Sequence, residues 1–268
     1  MNDINYKIIL PTNTKYLDVT KNYIELLKIN WPEAYEHLVL SLTGPVNNEL
    51  EFFNEFPIVR NNEFDSLPTC VLNAASEYKA DYYFIFLGDA FIFKRVNNDS
   101  VKDLLRSLIV NNIDYCRLLP QLHTNIGHFG KYYRNICTDE RYSHSFVAFG
   151  ASFQFIRSEF SNNITDRDFE IKYLKLANKK KHSYFESRVI LRKNIFCIMP
   201  SIQKGKWDRV NLAYLKRKYP EIVFSDRNVI SWKYELIIKI RKIVLPVIPK
   251  KIRITLKKKN SKYFDTDL

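Results

Sequence analysis

Glycine is scarce in this 268-residue chain, with six residues in all. Neither a glycine-rich phosphate loop nor a dinucleotide fingerprint can be built from them, since Gly127 and Gly130 stand at the wrong spacing. Cysteine is as thin: Cys70, Cys116, Cys137 and Cys197 lie far apart and make no metal-type pair. Their mostly apolar or strand-like surroundings predict reduced, mostly buried thiols of a cytosolic protein. No stretch approaches the roughly 18 apolar residues of a membrane span. The amino end also lacks a basic region followed by a long apolar one, so Tyr6 to Leu10 reads as a first strand and not as a signal peptide. Aromatics are plentiful at 15%, within a hydrophobic content of 46%. That is enough to bury a sizeable core in one large domain, or in one domain plus an appendage.

The net charge of +13 suggests nucleic acid until it is mapped. Residues 233–260 hold ten Lys and Arg against Glu235, and so carry +9 of it. The body is close to neutral, and its basic tail interleaves charge with Ile, Leu and Val where stacking aromatics would be expected of a nucleic-acid binder. No nucleic-acid partner is expected. Trp232, Leu236, Ile237, Ile240, Ile243 and Val244 follow a helical spacing among Lys233, Lys239, Arg241 and Lys242. This is the composition of an interfacial amphipathic helix, and it predicts an anionic membrane surface as partner. The chain therefore divides into a domain over 1–228 and a basic amphipathic tail over 229–268.

The organising stretch is Asp81 to Phe93. Tyr82 to Leu87 is an uncharged aromatic and aliphatic run, a strand buried on both faces in the middle of a parallel sheet. Gly88-Asp89 then places one carboxylate at the strand's carboxyl end, where open α/β sheets bind ligands. Asp89 serves equally well as the cap of the turn or helix that follows.

Around this stretch the elements alternate. A strand over Tyr6–Leu10 and the turn Pro11–Thr14 precede a helix over Lys15–Asn30, which Trp31-Pro32 stops. Strands follow at Leu38–Leu42 and Pro57–Arg60. A helix capped by Ser66 runs to about Tyr78, and one capped by Asn98-Asp-Ser100 covers Val101–Val110. Ile113–Leu119 returns as a strand, and the pattern is that of a doubly wound sheet. Beyond Pro120, residues 120–149 suggest short strands or an ordered loop over the sheet; helices are expected over Ala151–Phe160, from Thr165 to Asn178 and over Trp207–Tyr219, with a strand at Ile195–Met199. His123, His128 and His144 lack a helical two-ligand spacing and read as ordinary structural residues.

Taken together, these landmarks resemble bacterial GT-A-type glycosyltransferases of capsule, O-antigen and exopolysaccharide gene clusters. The matching segments are Tyr16-Leu-Asp18 with Leu26–Trp31, then Asp81–Ile92, and later Arg167-Asp-Phe-Glu170 and Gly205-Lys-Trp207. In order they cover roughly residues 6–220. The resemblance implies an α/β, GT-A-like (Rossmann-like) fold, a mostly parallel sheet flanked by helices, here followed by a basic amphipathic helical extension. It implies a nucleotide-sugar donor and a saccharide acceptor that is lipid-linked, at the inner face of the cell membrane. Where the family has two adjacent acids this chain has Gly88-Asp89, and Arg167 replaces a tryptophan.

Sugar transfer needs an anchor for the diphosphate, stabilisation of the leaving charge and a base for the acceptor hydroxyl. Mg²⁺ or Mn²⁺ commonly meets the second need, held by one or two carboxylates and the donor phosphates. Asp89 is the metal-ligand candidate, with cation dependence expected to be weak or dispensable; it can instead hold a ribose or sugar hydroxyl. Lys204 and Lys206, around Gly205, are candidate phosphate binders or a solvated loop. Glu170 is the preferred base and Asp168 the second choice, with helix-dipole compensation as the alternative for both. Trp207 stacks on a sugar or packs in the core. Thr12 and Asn13 are candidate hydrogen-bonders for the nucleotide base, and Asp65 a weaker one. The rival functions are a non-catalytic nucleic-acid-binding protein and a degenerate, inactive family member.

Overall fold

The computed structural model describes residues 4–45, 48–121, 128–129, 131–136, 144–162, 164–171 and 186–236. The chain forms two compact units, one of Met1–Ser201 with Leu215–Ser225, the other of Ile202–Tyr214 with Asp226–Leu268. Residues 237–268, most of the expected tail, lie outside the described residues, as do His123 and Cys137.

The first unit is the expected α/β architecture. β1 (Tyr6–Asn13), β2 (Leu38–Thr43), β3 (Ile58–Arg60), β4 (Tyr82–Phe86), β6 (Tyr115–Arg117), β7 (His128–Phe129), β8 (Tyr133–Asn135), β9 (Ala148–Ala151) and β10 (Arg188–Leu191) share one sheet in the order 3-2-1-4-9-6-10-8-7. β8 and β9 run against the other strands, so the sheet is mostly parallel. β5 (Ala90–Ile92) pairs separately with β11 (Ile198–Pro200).

β4 shows why the sheet holds. Its five residues are all buried, and they alternate in side as a strand must. Tyr83 and Ile85 enter a cluster with Val71, Ala74 and Ala75 of α2 (Leu67–Glu77) and Phe155, Ile156 and Phe160 of α4 (Phe153–Phe160). Phe84 and Phe86 face the other way, onto Phe196 at 5.0 and 5.7 Å, with Trp31 and Tyr23 at 6.4 Å. Tyr23 belongs to α1 (Leu17–Asn30). Helices thus cover both faces, and each buried aromatic contributes about 1.5–3 kcal/mol.

The structure departs from the sequence reading in definite places. β1 runs on through Pro11 to Asn13, because pairing with β4 ends at Ile9 and a proline is tolerated where one side of a strand has lost its partner. β4 is not enclosed by parallel strands: β9 pairs with it antiparallel. That contact depends on Gly150, where a Cβ would stand 2.8 Å from the Tyr82 ring. The third helix, α3 (Asn98–Val110), starts earlier than expected, because Asn97 caps it through the Ser100 N–H at 2.8 Å. β10 was not expected at all.

In the second unit, β12 (Ile202–Gln203) and β13 (Lys206–Trp207) form a hairpin, and α5 (Arg209–Lys218) follows it in the chain. Trp207 is therefore a strand residue and not the start of the helix. The hairpin turn has Lys204 at φ 51° and Gly205 at φ 73°, the two left-handed residues of a two-residue loop.

Candidate active site

The connections decide where a ligand can sit. From β1 the chain winds outward through β2 to β3, then returns across β1 to β4. The order of the strands reverses between β1 and β4, and in open α/β sheets a crevice forms at the carboxyl ends of the two strands beside such a reversal. β1 ends there in Thr12-Asn13 and β4 leads there into Gly88-Asp89.

Asp89 lies in the turn between β4 and β5. Its backbone is fixed: the carbonyl accepts the Ser201 N–H at 3.1 Å, and the Ala90 N–H beside it donates to Leu87 O at 2.9 Å. Its carboxylate is another matter. Oδ1 is buried and has no hydrogen-bond partner among the described residues. Burial pushes the carboxyl up to about 6 from 3.8, with a backbone hydrogen bond working weakly against it. Gly88 is not imposed by packing. A Cβ there would meet Thr20 Oγ1 at an ordinary 3.4 Å. Among the described residues no group of three or more His, Cys, Asp and Glu could hold a metal ion. The donor set fits a cation that takes one protein carboxylate.

Thr12 and Asn13 are largely occupied by the scaffold. Thr12 Oγ1 shares a hydrogen bond with Thr20 Oγ1 at 2.8 Å. Asn13 Nδ2 donates to Thr43 Oγ1 at 2.9 Å, and its Oδ1 accepts the Lys15 N–H at 3.1 Å. They stand at the carboxyl end of β1, with the buried Thr20 and Thr43 as polar neighbours that sequence reasoning missed. Thr20 comes from α1, and no periodicity in the chain ties it to the end of β1. Asp65 closes its own turn, accepting the Asn62 N–H at 2.9 Å, after β3 and therefore two strands away from β1.

The acidic helix start, residues 166–171, is also locally committed. Thr165 Oγ1 accepts the Asp168 N–H at 3.0 Å, while Asp168 Oδ2 accepts the Thr165 N–H at 3.2 Å and its hydroxyl at 2.8 Å. This is a reciprocal capping box. Glu170 Oε1 accepts the Phe146 N–H at 2.8 Å and the Ser145 hydroxyl at 3.3 Å, tying the helix to the segment that enters β9. Nearby lies a buried ionic group with no counterpart in the sequence reading. Arg188 meets Glu159 at 3.4 Å and His144 Nε2 at 2.9 Å, with Phe155 under the guanidinium at 4.9 Å. His144 stacks on Tyr115 at 4.9 Å as a core residue.

In the second unit, Lys204, Gly205 and Lys206 line an open groove of about 440 Å³ with Asp226, Arg227 and Asn228. Trp207, next in the chain, is fully buried. Its backbone pairs with residues 228 and 230 at 2.9 and 2.8 Å, and its ring presents no face for stacking. At the start of the tail, Trp232, Tyr234 and Leu236 are exposed on the helical stretch over residues 232–236. Among the described residues no helix is long and apolar enough to cross a membrane.

No family model matches the chain. No curated protein matches it in sequence either. Among solved structures it is similar to a cytidylyltransferase from Leptospira borgpetersenii, with TM-score 0.43 and 12% identity over 85% of this chain and 100% of that one. It is similar to S. aureus TarS, with TM-score 0.44 and 12% identity over 63% of this chain, and there it spans 33% of the neighbour. Glucosyl-3-phosphoglycerate synthase from Mycobacterium tuberculosis, solved with Mn²⁺, UDP and phosphoglyceric acid, gives TM-score 0.41 and 10% identity over 70% and 67% of the two chains. The functional reading is carried by this chain's own residues.

Proposed function

We propose that the protein is a glycosyltransferase that moves a sugar from a nucleotide-sugar donor to a saccharide acceptor, a lipid-linked precursor of a surface polysaccharide. The supporting observation is Asp89, a buried carboxylate with an unmet oxygen at the point where the strand order reverses. Burying a carboxylate without a partner is costly, and a donor hydroxyl or a cation would offset that cost. The sequence resemblance to GT-A-type enzymes narrows the ligand to a nucleotide sugar.

In this reading the nucleotide sits at the Thr12-Asn13 end of β1, and Asp89 holds a ribose or sugar hydroxyl, or a divalent cation. Mg²⁺ or Mn²⁺ would find Asp89 as its protein ligand there and would help neutralise the leaving phosphates. With a single carboxylate, dependence on the metal is weak or partial. Glu170, with Asp168 as second candidate, takes the proton of the acceptor hydroxyl. The acceptor oxygen then bonds to the anomeric carbon as the bond from that carbon to the donor phosphate breaks, and the nucleoside phosphate leaves with the electron pair. Within the second unit, the groove around Lys204-Gly205-Lys206 suits an anionic group. The tail from Val229, with Trp232 and Leu236 exposed at its start, rests on the anionic inner face of a membrane, where a lipid-linked acceptor would be.

The test is a donor panel of UDP-, GDP-, CMP- and dTDP-sugars, read by thermal shift and by donor hydrolysis with and without Mn²⁺. One nucleotide class is expected to raise the melting temperature and to be hydrolysed slowly. Binding without turnover on any acceptor would mark an inactive family member. No shift with any donor would overturn the reading.

A further inference from the structure

A second pocket, of about 320 Å³, opens in the first unit at the amino end of β1. Tyr6 marks that end and Asn13 the other, seven residues on, or about 23 Å along a strand. The pocket is thus separate from the crevice at Asp89.

Tyr6 lies at its base, stacked on His37 with ring centroids 4.0 Å apart. The turn over Pro32–His37 contributes Glu33 and Glu36 to the lining. α3 contributes Lys102 and Arg106, four residues apart and so on one helix face. Two of these four charges are already matched outside the pocket: Glu33 with Arg95 at 3.7 Å, and Arg106 with Asp103 at 3.1 Å. Glu36 and Lys102 are not. Neither has a hydrogen bond or ion pair with any described residue, although both line the same space. The Tyr6 hydroxyl also makes no hydrogen bond to a described residue. Burial, then Glu33 and Glu36, hold its pKa well above the usual range, so it stays a donor.

Opposite charges that share a pocket without meeting leave room for a ligand that carries both signs. An exposed carboxylate without a partner suits an ammonium group. An exposed lysine opposite suits a phosphate or carboxylate as a point charge. The lower end of ordinary ligand-site volumes, about 300 Å³, suits a molecule of a few heavy atoms. We propose that this pocket binds a small zwitterion, with its ammonium on Glu36 and its anionic group on Lys102.

Amino acids and aminoalkyl phosphates share this chemistry, and calorimetry on the full chain separates them. The probes are β-alanine and phosphoethanolamine as zwitterions, with ethanolamine and inorganic phosphate as the two halves. One zwitterion is expected to bind at least about tenfold more tightly than either half, and Glu36→Gln and Lys102→Met each to weaken it about tenfold. Both side chains are exposed, so unchanged melting temperatures will show that the variants fold. The exchange Glu36→Lys with Lys102→Glu should recover binding relative to either charge reversal alone. Halves that bind as well as the whole, no binding by either zwitterion up to about 10 mM, or variants that bind like the parent would each overturn the proposal.

Discussion

Two sets of acids in the first unit were read from the sequence as site candidates, and the structure treats them in opposite ways. Asp168 and Glu170 are spoken for: one closes a capping box, the other accepts a backbone N–H and a hydroxyl. Asp89 is held only by its backbone, and its buried Oδ1 faces no described donor. A satisfied carboxylate stabilises the fold and can do chemistry only as an additional task. An unsatisfied buried one destabilises the fold, and a ligand is the natural reason to keep it.

The largest effect should therefore come from Asp89→Asn. Transfer is expected to fall at least about a hundredfold, since the asparagine keeps the shape and removes the charge. Stability should move the other way. With the carboxyl raised to about 6 from 3.8, the unfolded chain gives up its proton before the folded one does. Stability then falls as pH rises through that window and stays lower above it, by about 3 kcal/mol at pH 7. Asp89→Asn should accordingly melt several degrees above the parent at pH 7 and close to it at pH 4, at about 2–4 °C per kcal/mol. Near-parental turnover in a stabilised variant would make Asp89 a turn residue and remove the contrast with the helix acids.

How much of this was legible follows from which signals are local. β2, β4 and α2 could be read because an apolar run or a Ser66-Leu-Pro start specifies them without reference to the rest of the chain. Ala148-Phe-Gly-Ala151 could be read only as a short strand or a loop, and not as an inner strand of the sheet. It is a strand because β4 and β6 accept it between them, and Gly150 is what lets it approach Tyr82. Arg188 hid β10 in the same way, since a charged residue opens a buried strand only when Glu159 and His144 are there to receive it. The position of Asp89 was legible as the acid after a buried run. Its isolation was not, because that depends on which donors the rest of the chain brings to the end of β4, and none of the described ones reaches Oδ1.

Glu170 offers a sharper form of the comparison, because two substitutions separate its two tasks. Glu170→Gln keeps an oxygen for the Phe146 N–H and should leave the melting temperature within about 2 °C, while removing a base. Glu170→Ala also leaves that N–H unmet and should cost about 1–3 kcal/mol. If Glu170 is the base, both variants lose transfer and keep donor affinity, and only the alanine loses stability. An active Glu170→Gln would leave it as the clasp between the helix and β9.

The smallest effect belongs to Asp168. Its bonds with Thr165 are exposed, so water replaces them cheaply, and Asp168→Ala should cost about 0.5–1 kcal/mol, the low end for a helix cap. Thr165→Ala should cost the same. The double variant should cost less than the two together, because each residue's contribution is the other's bond. The cap matters beyond its size, since it fixes the first turn of a helix whose Phe169 is fully buried among Tyr115, Phe146, Phe149 and Phe160. Phe169 in turn sets where Glu170 reaches the chain ahead of β9. Transfer in Asp168→Ala should thus stay within about twofold of the parent, measured beside a melting curve. A loss far larger than Thr165→Ala shows would have no origin in the cap, and would place Asp168 in the chemistry beside Asp89.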